Sequence, residues 1–130
     1  MIQILLCTLT LFALDAIWLG FIAKKMYIKH IGSLLSIKQG AIQANWYAAI
    51  VVYIALIVGI VCFVLPKANH QPTLALCWGG LFGLVVYATY DFTNLAVLPK
   101  WSLQVSIIDT LWGMLLCGLT SGITMYFTMS

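Results

Sequence analysis

Asp15, Asp91 and Asp109 are the only acidic residues of this chain, and all three stand inside long apolar stretches. A carboxyl group in such surroundings can hold a cation or an amine, trade protons, or work as a general acid or base. Aromatic and amide side chains accompany the three at helical spacing. Trp18 follows Asp15 by one turn, Trp112 follows Asp109 by one turn, and Tyr87, Tyr90 and Asn94 flank Asp91. At about 100° per residue, Gly79, Gly80, Gly83, Tyr87, Tyr90, Asp91 and Asn94 fall within an arc of about 120°. Trp78, Leu81, Val85, Ala88, Phe92 and Ala96 occupy the other side and read as lipid-facing. The candidate ligand-binding set is therefore Asp15, Trp18, Tyr87, Tyr90, Asp91, Asn94, Asp109 and Trp112. The residues alone assign no catalytic role and no cofactor.

The elements that carry this set must cross a membrane. The chain has 130 residues, 64% hydrophobic and 7% charged, a composition that excludes an ordinary soluble domain. About 20 apolar residues span the hydrocarbon core as a helix. Four stretches qualify: 4–23, 44–65, 73–98 and 103–128. Open strands would leave edge groups unpaired in lipid, and the runs lack the alternation of a barrel. The expected fold is all-α, a single membrane-spanning four-helix bundle.

Between the first two spans, Lys24 to Gln43 holds four of the six basic residues, all of them lysines. Tyr27, Ile28, Ile31, Leu34 and Leu35 share one face if this stretch is helical, with Lys25, Lys29, Gly32 and Ser36 opposite. That pattern predicts a short interfacial helix in the first loop. Asn45, Trp46 and Tyr47 open the second span as interface anchors, and from there to Leu65 only Tyr53 stands out as a polar ring, so this span reads as scaffold. Pro66 ends it. The short loop Lys67–Pro72 makes spans two and three an antiparallel hairpin. The fourth span carries a small-residue stripe of Gly113, Cys117, Thr120, Ser121 and Thr124, suited to close helix contact. Asp15-Ala-Ile-Trp18 is echoed by Asp109-Thr-Leu-Trp112.

Loops one and three hold five of the six lysines, which places them in the cytoplasm and both termini outside. The three aspartates then lie at similar depth on three different spans, in the cytoplasmic part of the bilayer. A charged side chain at mid-bilayer costs about 2.5–3.5 kcal/mol on insertion scales, so three acids at one depth call for a reason. No lysine precedes the first span and no cleavage signal follows it, so that span is expected to be retained. The four cysteines, Cys7, Cys62, Cys77 and Cys117, follow no metal-ligand spacing and are expected to be free thiols.

Three classes of function suit these residues: a pocket that binds a small ligand, lipid or cation, with proton-coupled transport as one form; a membrane-embedded enzyme acting on a lipid; and a structural or regulatory subunit. The bland alternative is that each acid fixes packing by bonding a neighbouring Trp, Tyr or Asn. His30 and His70 fall on opposite sides of the membrane, which argues against a haem held by both, and no metal site is expected. Membrane lipids are the expected partners, a homo-oligomer is compatible with the glycine stripes, and nucleic acid is not expected.

The run Gly79 to Gly113, GGLFGLVVYATYDFTNLAVLPKWSLQVSIIDTLWG, resembles the signature of a family of small bacterial inner-membrane proteins known only as a domain of unknown function. YATYD-x-TNLA and the later D-x-x-W-G carry the likeness, and the D-x-x-W at Asp15 fits it as well. The resemblance implies a four-helix protein of the bacterial inner membrane, with both termini then periplasmic, and leans towards lipid chemistry without implying a reaction.

Overall fold

The computed structural model describes residues 1–34, 37–38, 41–42 and 45–129. Leu35, Ser36, Gln43 and Ala44, on which part of the first-loop and second-span expectations rest, lie outside them.

The first span, Ile2–Ile22, is helix α1 (Ile2–Ile17) continued by a π-helical turn, Trp18–Ile22. The wider turn ends with the Ala23 N–H donating to the Trp18 carbonyl at 2.8 Å. Such turns re-aim side chains within a helix, and this one carries Trp18. Helix α2 (Lys24–Ile31) follows, with Tyr27 and Ile31 buried and Lys24, Lys25 and Lys29 exposed. The amphipathic face expected for the first loop is therefore present, over a shorter length. The helix gives way at Gly32–Leu34 to one 3-10 turn, where Leu34 is exposed, and then to a two-residue antiparallel ribbon pairing Ile37 with Ile42 and Lys38 with Ala41. Gly32 and Ser33 are weak helix formers, which accounts for the early stop.

The second span, Trp46–Ala68, is α3 (Trp46–Gly59), a π turn at Ile60–Val64 and a 3-10 turn at Leu65–Ala68. The Asn45 side chain caps α3 by accepting from the Ala48 N–H at 3.3 Å. Asn69 and His70 then take left-handed backbone, φ 48° and 60°, to reverse the chain. Pro72 opens α4 (Pro72–Val97), where its missing N–H costs nothing. Ser102 caps α5 (Leu103–Thr128) through the Val105 N–H at 3.3 Å.

Helices α4 and α5 form the closest pair. Gly79 lies against Ser121 and the Cys117 carbonyl, Gly83 against the Gly113 backbone, and Gly113 against the Tyr87 ring. The expected stripe on α5, Gly113, Cys117, Thr120, Ser121 and Thr124, is buried throughout. Trp78, Leu81, Val85 and Phe92 are exposed, as a lipid-facing side requires, and Ala88 is half-buried. Helix α1 packs across this pair, with Cys7 and Leu11 fully buried in a core shared with Leu56, Ile60 and Leu116. Four helices among the described residues, 2–22, 46–68, 72–97 and 103–128, are long and apolar enough to cross a membrane.

Candidate functional site

Two hydrogen-bond clusters gather the aspartates near the end of the bundle where α2 lies. In the first, Asp15 on α1 is 8% exposed and accepts from the Tyr53 hydroxyl of α3 through Oδ2 and from Trp112 Nε1 of α5, at 3.2 Å, through Oδ1. In the second, Asp109 on α5 accepts from the Tyr27 hydroxyl of α2, which itself accepts from Trp18 Nε1 at 3.1 Å. The Asp91 carboxyl on α4 is a near neighbour of Asp109, since its donor Thr110 directly follows Asp109 on α5. Asp91 is completely buried. Its Oδ2 accepts from Thr110 Oγ1 at 3.2 Å, while Oδ1 meets no donor among the described residues. The backbone is pinned beside it, because Ser106 Oγ donates to the Asp91 carbonyl at 3.1 Å and Trp101 Nε1 donates to Ser106 Oγ at 3.0 Å.

The tryptophans tie the clusters together. Trp18 and Trp112 stack with ring centroids 4.6 Å apart and planes 6° from parallel. The two D-x-x-W units are crossed: Trp112, from the Asp109 unit, donates to Asp15, and Trp18, from the Asp15 unit, reaches Asp109 through Tyr27. The spacing has a physical use, since it puts acid and indole one turn apart on one face, so two such helices can exchange donors.

The candidate residues separate into those that meet and those that do not. Asp15, Trp18, Asp91, Asp109 and Trp112 belong to the clusters. Tyr87 is half-buried, with its ring against Gly113, below the carboxylates. Tyr90 is 57% exposed and packs edge-on to Trp101, with centroids 6.1 Å apart, outside the buried network. Asn94 is half-buried, and among the described residues its side chain donates to none of the three carboxylates. Nor do the three acids meet at one point: no three His, Cys, Asp or Glu side chains among the described residues are arranged to hold a metal.

Tyr53, Tyr27, Thr110 and Ser106 are the members that sequence reasoning missed. Tyr53 stands alone in a span that reads as scaffold, and Tyr27 reads as part of the apolar face of an interfacial helix. The signal that was available is that a tyrosine on a buried helical face needs a partner for its hydroxyl, and the chain has only three acids to offer.

Tyr27 lies in α2, outside the spans. Burial, and then the neighbouring charge of Asp109, push its phenol well above its usual range, so it remains a neutral donor at any physiological pH. Tyr27→Phe therefore strips Asp109 Oδ1 of a donor and Trp18 Nε1 of an acceptor. A loss of about 1–3 kcal/mol is expected, the usual cost of stranding buried polar groups, measured as a lower midpoint in a detergent melt. A Tyr27→Phe variant as stable as the parent would mean that water replaces the hydroxyl.

Helices long and apolar enough to span a bilayer, with a polar network inside them, define an integral membrane protein of the four-helix class. Residues 1–126 match the family described as "Predicted membrane protein (DUF2177)", and the chain belongs to that family. No curated protein and no solved structure matches it.

Proposed function

We propose that this protein binds a small ligand or cation in the bacterial inner membrane, exchanging a proton at the Asp91–Asp109 pair. The observation that carries the reading is the Asp91 side chain. One oxygen is bonded, the other is fully buried without a donor among the described residues, and a second carboxyl lies beside it. A buried carboxyl oxygen without a donor, close to a second carboxyl, offers a place for a proton or for a small cation in its stead. Tyr27 gives Asp109 a fixed donor and is itself held by Trp18, so a change of charge at this pair is felt on three spans and α2.

A direct test is infrared spectroscopy of the purified protein. A protonated carboxyl has its own C=O stretching band. The reading expects such a band to respond to pH and to vanish in Asp91→Asn. A spectrum with no pH-responsive carboxyl band, from a protein whose organic extract holds no retained ligand, rejects it.

Positive-inside bias supports cytoplasmic placement of α2 and of the Lys100 turn, with both termini in the periplasm. A periplasm-active reporter joined after the last turn of α5 is expected to be active. Activity of a cytoplasm-only reporter at that point would reverse the orientation and put the carboxylates in the outer half of the bilayer.

A further inference from the structure

Helix α2 lies outside the four spans, yet it reaches both acids of the Asp91–Asp109 pair. The first route is direct, since the Tyr27 hydroxyl donates to Asp109 Oδ1. The second runs through packing. Ala23, just before α2, is buried with Tyr27, Ile31 and Val105 of α5 in a small apolar cluster apart from the main core, and Trp101 packs against that cluster. Trp101 Nε1 donates to Ser106 Oγ at 3.0 Å, and Ser106 Oγ donates to the Asp91 carbonyl at 3.1 Å. One docked face thus holds the side chain of one acid and backs the residue that pins the backbone of the other. The attachment is slight, resting on Ala23, Tyr27 and Ile31, whereas α4 and α5 meet backbone to backbone. Breaks stand on both sides of α2. The π turn Trp18–Ile22 precedes it, with open space around Gly20, and the 3-10 turn Gly32–Leu34 follows it. A short helix with few buried contacts belongs to the low-stability end of a fold, the part that opens before the rest.

We infer that α2 is a lid on the carboxyl pair. Docked, it shields the pair from water at the membrane face that carries it; released, it opens the pair to that water. With the lid in place Asp91 is completely buried, and Asp109 is half-buried against the Tyr27 hydroxyl. Release takes Tyr27 away from Asp109 Oδ1 and removes the packing behind Trp101, so both acids loosen in one step. The exposed Lys24, Lys25 and Lys29 keep the freed helix in water and out of the hydrocarbon. Asp15 is independent of the lid, because its donors Tyr53 and Trp112 come from α3 and α5 and none comes from α2. The inference supplies an access route for the proton exchange proposed above, and rests on that reading for its purpose but not for its geometry.

The test uses the whole protein in detergent micelles, treated with a water-soluble carbodiimide and glycine ethyl ester, which turn accessible carboxyls into amides. Peptide mass spectrometry reads the rate at each aspartate. Ile31→Ala and, separately, Ile31→Lys weaken the docked face without removing any hydrogen bond of the network. Undocking is followed by deuterium exchange of the α2 amides, and the spans are checked by thermal melt. Asp109 is expected to react several-fold faster in both variants, with Asp15 at the parent rate. An unchanged Asp109 rate in a variant whose α2 has undocked overturns the lid, and so does an equal rise at Asp15, which would be general loosening. If α2 stays docked with lysine at position 31, or if both variants unfold the spans, the helix is a fixed part of the bundle and the lid is rejected as well. The infrared test remains separate. A pH-responsive carboxyl band with unchanged Asp109 labelling sinks the lid alone, whereas a labelling rise without such a band leaves the lid and removes the proton exchange.

Discussion

Gly83→Leu is expected to unfold the bundle at detergent temperatures where the parent stays folded. A Cβ at Gly83 would meet the Gly113 carbonyl group of α5, its carbon at 2.8 Å, and the Cys117 Cβ at 2.9 Å. Two of these three contacts are backbone atoms, which cannot turn aside as a side chain can. Leucine adds three further carbons on the same vector, so α4 and α5 must separate along their closest contact. Over-packing a filled core costs about 1–3 kcal/mol when side chains can adjust, and here the obstruction is backbone, so the loss should lie at or above the top of that range. Gly20→Ala is the matched control. Nothing stands within 4 Å of the Gly20 Cβ position, so alanine there should leave stability equal or higher. A Gly83→Leu protein that melts with the parent would mean that α4 and α5 do not pack on this face, and the carboxylate geometry, which depends on the same pairing, would fall with it.

That pairing was readable from sequence because it follows from angle alone. Gly79, Gly83 and Asp91 are buried and Trp78, Leu81, Val85 and Phe92 exposed, as the helical arc requires. Tyr90 lies inside the same arc and is nevertheless exposed, while Gly79, further round, is covered. The reason is height. At Gly79 the neighbour is the α5 backbone, whereas near the end of α4 it is the short turn that carries Trp101. A helical wheel has no axial coordinate and cannot separate these cases. The partners of the acids were harder still. Tyr27 is 82 residues from Asp109, Tyr53 is 38 from Asp15 and Trp112 is 97 from Asp15. Periodicity sets which face a side chain uses, but which helix stands opposite is decided by the packing of the whole chain. The shared depth of the acids was accessible from topology. Their division into an Asp15 cluster and an Asp91–Asp109 cluster was not.

Asp91→Asn is expected to separate fold from function. Asparagine keeps the shape of the carboxyl. Its amide oxygen can accept from Thr110 Oγ1, as Oδ2 does now at 3.2 Å, and its NH₂ replaces the oxygen that now meets no donor. The substitution therefore satisfies the oxygen position that now lacks a donor and removes any need to bury charge, so a melt should match or exceed that of the parent. What it removes is the capacity of the pair to gain and lose a proton. If the protein works by that exchange, ligand retention and complementation of a deletion strain should be lost while the fold persists. Asp109→Asn should act the same way, and the double variant should be no worse than either single one, because both break one unit. Asp15→Asn gives the contrast. It sits in the other cluster, held by Tyr53 and Trp112, and should weaken function by a separate, closer to additive amount. Additive losses at Asp91 and Asp109 would mean that the two carboxyls act independently. Three asparagine variants that fold and complement as the parent does would sink the proton-exchange reading and leave the aspartates as acceptors that align Tyr27, Tyr53 and the stacked tryptophans.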